Sequence, residues 1–163
     1  MKMLGKAFLT AALSGAVLVG AAGSVASANI DAASAVKERQ DHMKRFGKNM
    51  KAIIGFVKKD EGSAQDVADR AAEIAKWAKD IPTWFPEGTS LEEVSKPETG
   101  AKPDIWKDWD KFEAAAANLS EKAAKLAEVA GSGADKGAIA AQLGDMGKNG
   151  CGGCHKPFRE KLD

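Results

Sequence analysis

The chain of 163 residues is poor in side chains that bind metals by number. It has two cysteines, Cys151 and Cys154, and two histidines, His42 and His155. A structural zinc site takes four protein ligands and a catalytic one about three, and His42 lies far from the other three in sequence. Strand signals are missing as well. No stretch alternates apolar and polar residues with a period of two, so the Cys-x-x-Cys pair does not open a helix after a strand, the usual setting of a thiol redox motif. There is no excess charge of either sign: 24 basic residues stand against 23 acidic. That balance removes the electrostatic case for a nucleic-acid partner. No internal repeat and no constellation of catalytic acid, base and nucleophile is present, so the chain does not read as an enzyme.

What is present is Cys151-Gly152-Gly153-Cys154-His155. C-x-x-C-H is the attachment signature of a c-type heme. Two thiols three apart can each form a thioether to one vinyl group of the porphyrin. A histidine directly after the second thiol brings its imidazole to the iron. On a helix, positions 151, 154 and 155 share one face, because residues three and four apart are neighbours. The expected cofactor is heme c with one iron, held through two thioethers, with His155 as a metal ligand. The bland alternative is a buried pair of structural cysteines.

The N-terminus supports the motif. Lys2 and Lys6 precede an apolar, small-residue run from Ala7 to Ala22, and Ala26-Ser27-Ala28 fits the A-x-A cleavage rule. Residues 1–28 therefore read as a cleaved signal peptide. The run is short and rich in Ala and Gly, which disfavours a membrane anchor. Export to the periplasm fits the chemistry, since bacterial c-type heme is attached outside the cytoplasm. Residues 29–163 then form one heme domain. Removing residues 1–28 takes away two lysines and no acids, leaving 22 basic against 23 acidic residues, a formal charge of −1.

Four amphipathic segments follow. The first spans about 31–59, with Val36, Met43, Phe46, Met50, Ile53, Ile54 and Val57 at helical spacing. Gly47 lies one turn after Met43 on the same face, where a missing side chain admits something flat and bulky. The second spans about 64–80, with Ser63 as N-cap and Asp66 three residues later. A long connection, 81–102, carries Trp84 and Phe85, an aromatic pair expected to plug the end of the domain. The third segment starts near Pro103 and runs to Ala130 with apolar spacings of four and three, a bundle seam. The fourth spans about 134–162 with Ile139, Leu143, Met146, Cys154, Phe158 and Leu162 inward. Pro157 should kink its last turns. The expected fold is all-α, an antiparallel up-down-up-down four-helix bundle with the heme near one end.

Candidates for the second axial ligand are Met43, Met50, Met146 and His42. Met146 shares a helix with the heme motif and reaches the opposite face poorly. His42 is turned about 100° from Met43 on its helix, toward solvent. Met43 lies ~18 Å into the first helix and His155 ~10 Å from the end of the fourth at 1.5 Å per residue, so an antiparallel bundle brings them to one end. Met43 and Met50 can equally be gap-filling core residues.

The ordered set Arg39-Gln40-x-x-Met43, Asn49 to Ile53, Phe85 to Thr89, Pro103-x-Ile105-Trp106, and Cys151 to His155 with Phe158-Arg159 resembles the class II c-type cytochromes, the cytochrome c prime family. High-spin members usually carry Leu at the position matching Met43. With Met there, and with Gly47-Lys48-Asn49-Met50 after it, the first helix is similar to the low-spin cytochrome c-556 branch. The resemblance implies Met43 on the iron, and Arg39 and Gln40 near the heme propionates. It implies a monoheme carrier of single electrons with transient redox-partner proteins, as a monomer or homodimer. The alternatives are a high-spin relative that binds nitric oxide or carbon monoxide, and a thiol or zinc protein without heme.

Overall fold

The structure, a computed structural model, describes residues 31–162. The expected signal peptide, residues 1–28, lies outside them. The described residues form α1 (Ala32–Lys59), α2 (Ala64–Ala78), α3 (Asp104–Lys107), α4 (Trp109–Gly131), α5 (Lys136–Asp145) and α6 (Gly152–Phe158). A π-helical turn, Met146–Cys151, joins α5 to α6, so the two form one long rod. The bundle consists of α1, α2, α4 and this rod. Among the described residues there is no strand, only an isolated antiparallel bridge between Ala101 and Arg159. No described helix is long and apolar enough to cross a membrane.

Local chemistry sets the helix ends. The Asp31 carboxylate accepts hydrogen bonds from the Ala33 and Ser34 amides at 3.3 and 3.2 Å, which satisfies two of the free donors that open α1. Its far end closes on Asp60 in the left-handed region (φ 58°), after Lys58 and Lys59. Those two cations face the negative end of the helix dipole. α2 starts with the expected reciprocal cap: Ser63 Oγ accepts from the Asp66 amide at 3.1 Å, and the Asp66 carboxylate accepts from the Ser63 amide at 2.9 Å.

The core lies between α2 and α4, with α1 and the rod completing it. Ala68, Ala71, Ala75 and Ala78 of α2, and Ala116, Ala123 and Ala130 of α4, are buried. Small side chains at helical spacing let the two axes approach. The Ser120 hydroxyl donates to the Ala75 carbonyl at 2.8 Å across that seam. Ile53, Ile74, Leu126, Ile139 and Met146 fill the remaining space and are shut off from solvent. Each such aliphatic side chain stabilises the fold by about 1.5–3 kcal/mol.

Three boundaries differ from those expected. The third segment is not continuous: Asp108 (φ −118°, ψ 47°) leaves the helical region and separates the single turn α3 from α4. α2 ends at Ala78, and the connection begins with a 3-10 turn over Ile81–Trp84. The rod stops at Phe158, one residue past Pro157, rather than at 162. Arg159 is extended, and the tail is tied to the long connection instead. The Lys102 amide donates to the Phe158 carbonyl at 3.1 Å, and the Glu160 amide to the Gly100 carbonyl at 2.7 Å. Position 100 has no room for a side chain, because a Cβ there would collide with the Glu160 carbonyl. Leu162, expected inward, is 41% exposed as a result.

Candidate cofactor site

One cavity of about 700 Å³ opens between α1 and the rod, at the end of the bundle that carries the C-x-x-C-H motif. That size lies within the range of cofactor pockets. Cys151, Cys154 and His155 line one side, and Arg39, Gln40, Met43, Gly47 and Met50 of α1 line the other. Phe85, Phe112 and Phe158 add an apolar wall. Phe112 meets Phe85 at 4.9 Å and Phe158 at 5.4 Å, ring edges to faces. Phe85 thus belongs to the cavity lining, while its neighbour Trp84 stacks on His42 outside it, with ring centroids 4.2 Å apart.

The π turn aims the motif. Such turns inside helices are frequent at functional sites. Gly150 lies against α4, where a Cβ would come within 3.0 Å of a Leu119 methyl group. Asn118 of α4 donates to the Asn149 carbonyl at 2.8 Å, and Lys122 pairs with Asp145 at 2.7 Å. The residues just ahead of Cys151 are therefore held by side chains of α4.

The thiols of Cys151 and Cys154 are not joined. Burial raises both thiol pKa values, and for Cys154 the nearby Cys151 adds to it, reaching about 11. Burial, and then the charge of Arg159, lowers the pKa of His155 and favours the neutral imidazole. That is the form that binds a metal.

Arg39 is 3% exposed, and it is not the solvated helix charge that a surface position would make it. Its guanidinium donates to Thr89 Oγ1 at 2.7 Å, the Thr89 carbonyl at 2.6 Å and Thr99 Oγ1 at 2.7 Å. It also lies 4.8 Å from the centre of the Phe85 ring. No carboxylate among the described residues offsets its charge, and burial pushes its pKa down to about 10. Gln40 donates to the Glu98 carbonyl at 2.7 Å. Both side chains hold the long connection against α1 and border the cavity.

These features fit the expected heme c. The wall is apolar, two thiols and an imidazole whose neutral form burial favours project from one helix, and a buried cation faces the space without an anionic partner among the described residues. Gly47 and Gly147 border the cavity, and a Cβ on either would meet nothing within 4 Å. The space beside them is open to a flat group. Met43 and Met50 both border the cavity and are half-buried. Met146 is wholly buried away from the cavity, and His42 is turned out of it. With His42 outside, the described residues bring together no group of three or more His, Cys, Asp or Glu side chains able to hold a metal ion on their own.

The threonine cradle of Arg39 leaves no local signal in the sequence, since Thr89 and Thr99 lie 50 and 60 residues away in a segment without periodicity. Phe85-Pro86-Glu87-Gly88-Thr89 was the available signal, a dense run within an otherwise polar loop.

Comparison with known proteins agrees with this geometry. A protein-family model described as Cytochrome C' matches residues 34–159. A cytochrome c' of Rhodospirillum rubrum is 37% identical over 129 residues, covering 79% of this chain and 84% of that protein. A cytochrome c-556 of Agrobacterium fabrum is 32% identical over 143 residues, covering 85% and 90%. The solved cytochrome c' of Rhodobacter sphaeroides superposes with a TM-score of 0.71 at 28% identity, over 81% of this chain and 99% of that one.

Proposed function

The chain belongs to the cytochrome c' family, whose heme c is attached covalently through cysteines, and on that premise we propose that it is an exported carrier of single electrons with His155 and Met43 as axial ligands. Bound in this cavity, heme c supplies a one-electron ferric–ferrous couple, and thioether ligation raises its potential. The thiols of Cys151 and Cys154 would hold the porphyrin through thioethers. The imidazole of His155, whose pKa burial lowers, would bind the metal from the rod. The sulfur of Met43 would be the second ligand, offered from α1. The phenylalanine wall excludes water, and Arg39 and Gln40 lie where propionates would need donors. The observation that carries the reading is that Met43 and His155, 112 positions apart in the chain, border one cavity from facing helices.

A second reading, capture of nitric oxide or carbon monoxide at an open iron position, draws support from relatives named cytochrome c'. It requires Met43 to pack without binding. The test is the visible spectrum of the heme-loaded protein, oxidised and reduced, with and without carbon monoxide. The electron-carrier reading expects a sharp reduced α band and little response to the gas, both lost in Met43→Leu. A broad spectrum that shifts at once with carbon monoxide would replace it with the second reading.

A further inference from the structure

Charge in this chain is segregated by helix. α1 carries eight basic side chains, buried Arg39 among them, against two acidic ones, and residues 146–162 carry four against one. The chain between them, residues 60–145, carries ten basic against eighteen acidic. Residues 31–162 together hold 22 of each sign and are formally neutral. The two basic segments are the two that close on the cavity from opposite sides.

Helical spacing places the exposed cations at its mouth. Lys44 borders the cavity, and Lys48 and Lys51 follow four and seven residues later on the same flank of α1. On the other side Arg159 borders the cavity, Lys156 follows His155, and Lys148 sits beside Gly147. All six are exposed, and among the described residues only Lys44 has an acidic group within ion-pairing distance, Asp41 at 2.8 Å. Leu162 also borders the cavity and is 41% exposed, an apolar side chain beside these cations. Apolar contact together with a charged rim is the anatomy of a transient protein interface. A rim in which cations outnumber acids (exposed Asp41 and Glu160 beside these six) on a neutral protein steers partners by local rather than net charge.

Resting on the electron-carrier reading, we propose that the rim formed by Lys44, Lys48, Lys51, Lys148, Lys156 and Arg159 is the docking face for a redox protein that presents a carboxylate-rich surface. Electrons then pass at the cavity mouth, where the two surfaces meet. Two heme propionates would make the whole protein anionic, so net charge and rim charge predict opposite behaviour.

The test follows one-electron oxidation of the reduced, heme-loaded protein by stopped flow, with hexacyanoferrate(III) as the anionic probe and tris(phenanthroline)cobalt(III) as the cationic one. In the first reaction one electron leaves the protein and yields hexacyanoferrate(II). The proposal expects that rate to fall with rising salt and the cobalt rate to climb. Lys48→Glu, Lys51→Glu and Lys156→Glu together should slow the anionic probe by roughly tenfold at low salt without changing the absorption spectrum. They should also abolish retention on a carboxymethyl cation exchanger. The same number of reversals at the other end of the bundle, Lys58→Glu, Lys125→Glu and Lys136→Glu, should leave both readouts nearly unchanged. Equal effects from the two sets, or the opposite salt dependence, would overturn the proposal. So would rim-dependent sedimentation with phosphatidylglycerol vesicles, which would assign the face to a lipid surface. A protein that neither probe oxidises refutes the electron-carrier reading instead, so the two failures are distinct.

Discussion

Replacing Arg39 with Met removes a buried cation while keeping most of its aliphatic length, and the outcome depends on two opposed quantities. Three hydrogen bonds are lost, to Thr89 Oγ1, the Thr89 carbonyl and Thr99 Oγ1. At about 1.5–3 kcal/mol for each bond from a charged donor, the loss is about 5–9 kcal/mol. Against that, the guanidinium no longer has to be buried. Its pKa falls from 12.5 to about 10 on burial, a cost on the order of 3 kcal/mol. The net expectation is a loss of about 2–6 kcal/mol, which for a domain of this size lowers Tm by roughly 10–20 °C. Denaturant unfolding of the heme-loaded protein, followed by circular dichroism, measures it. A second variant, Thr99→Val, should lose less alone and add little in the double variant, because both act through one cluster. A loss below about 1 kcal/mol for Arg39→Met would refute the reasoning and return Arg39 to a solvated charge of no structural consequence.

Other perturbations test other parts of the fold. Gly47→Phe should leave the helix content intact but sharply reduce bound heme per chain, since its Cβ faces open cavity; full loading measured by pyridine hemochrome would contradict this. Ile53→Ala, at a position with no exposure, should cost about 2–5 kcal/mol in denaturant unfolding. The Asp145 carboxyl lies below its ordinary pKa of 3.8, because of its bond to Lys122 and then that to Asn149. Its folded form is therefore the weaker proton binder, and its stabilisation is present above that pKa and lost as pH falls below it. The drop of Tm below about pH 4 should accordingly be shallower in Asp145→Asn than in the parent.

Much of this architecture is legible in residue order, for physical reasons. Ser63 and Asp66 announce a helix start because capping is a local interaction, and both halves of that cap are formed. The α4 seam is visible because burial of one face imposes a spacing of three and four. Gly47 could be read as an opening because only the absence of a side chain explains a glycine amid good helix formers. Most of the misses involve partners distant in sequence. Asp108 breaks a segment whose periodicity runs straight through it. The rod ends at Phe158 because Lys102 and Gly100 take up its tail, which no pattern near residue 158 reveals. The π turn depends on α4, through Gly150 against Leu119 and Asn118 on Asn149. Arg39 could be placed near the site only by resemblance, since its threonine partners come from the irregular connection.

The central proposal is that Met43 supplies a sulfur ligand to the heme iron, with His155 as the other ligand. X-ray absorption at the iron edge of the heme-loaded protein tests it most directly, because the two thioether sulfurs of Cys151 and Cys154 are bonded to carbon and not to the metal. One sulfur at bonding distance from iron is expected in the parent and in Met50→Leu, and none in Met43→Leu. A sulfur-free first shell in the parent, or a sulfur that vanishes only in Met50→Leu, would contradict it.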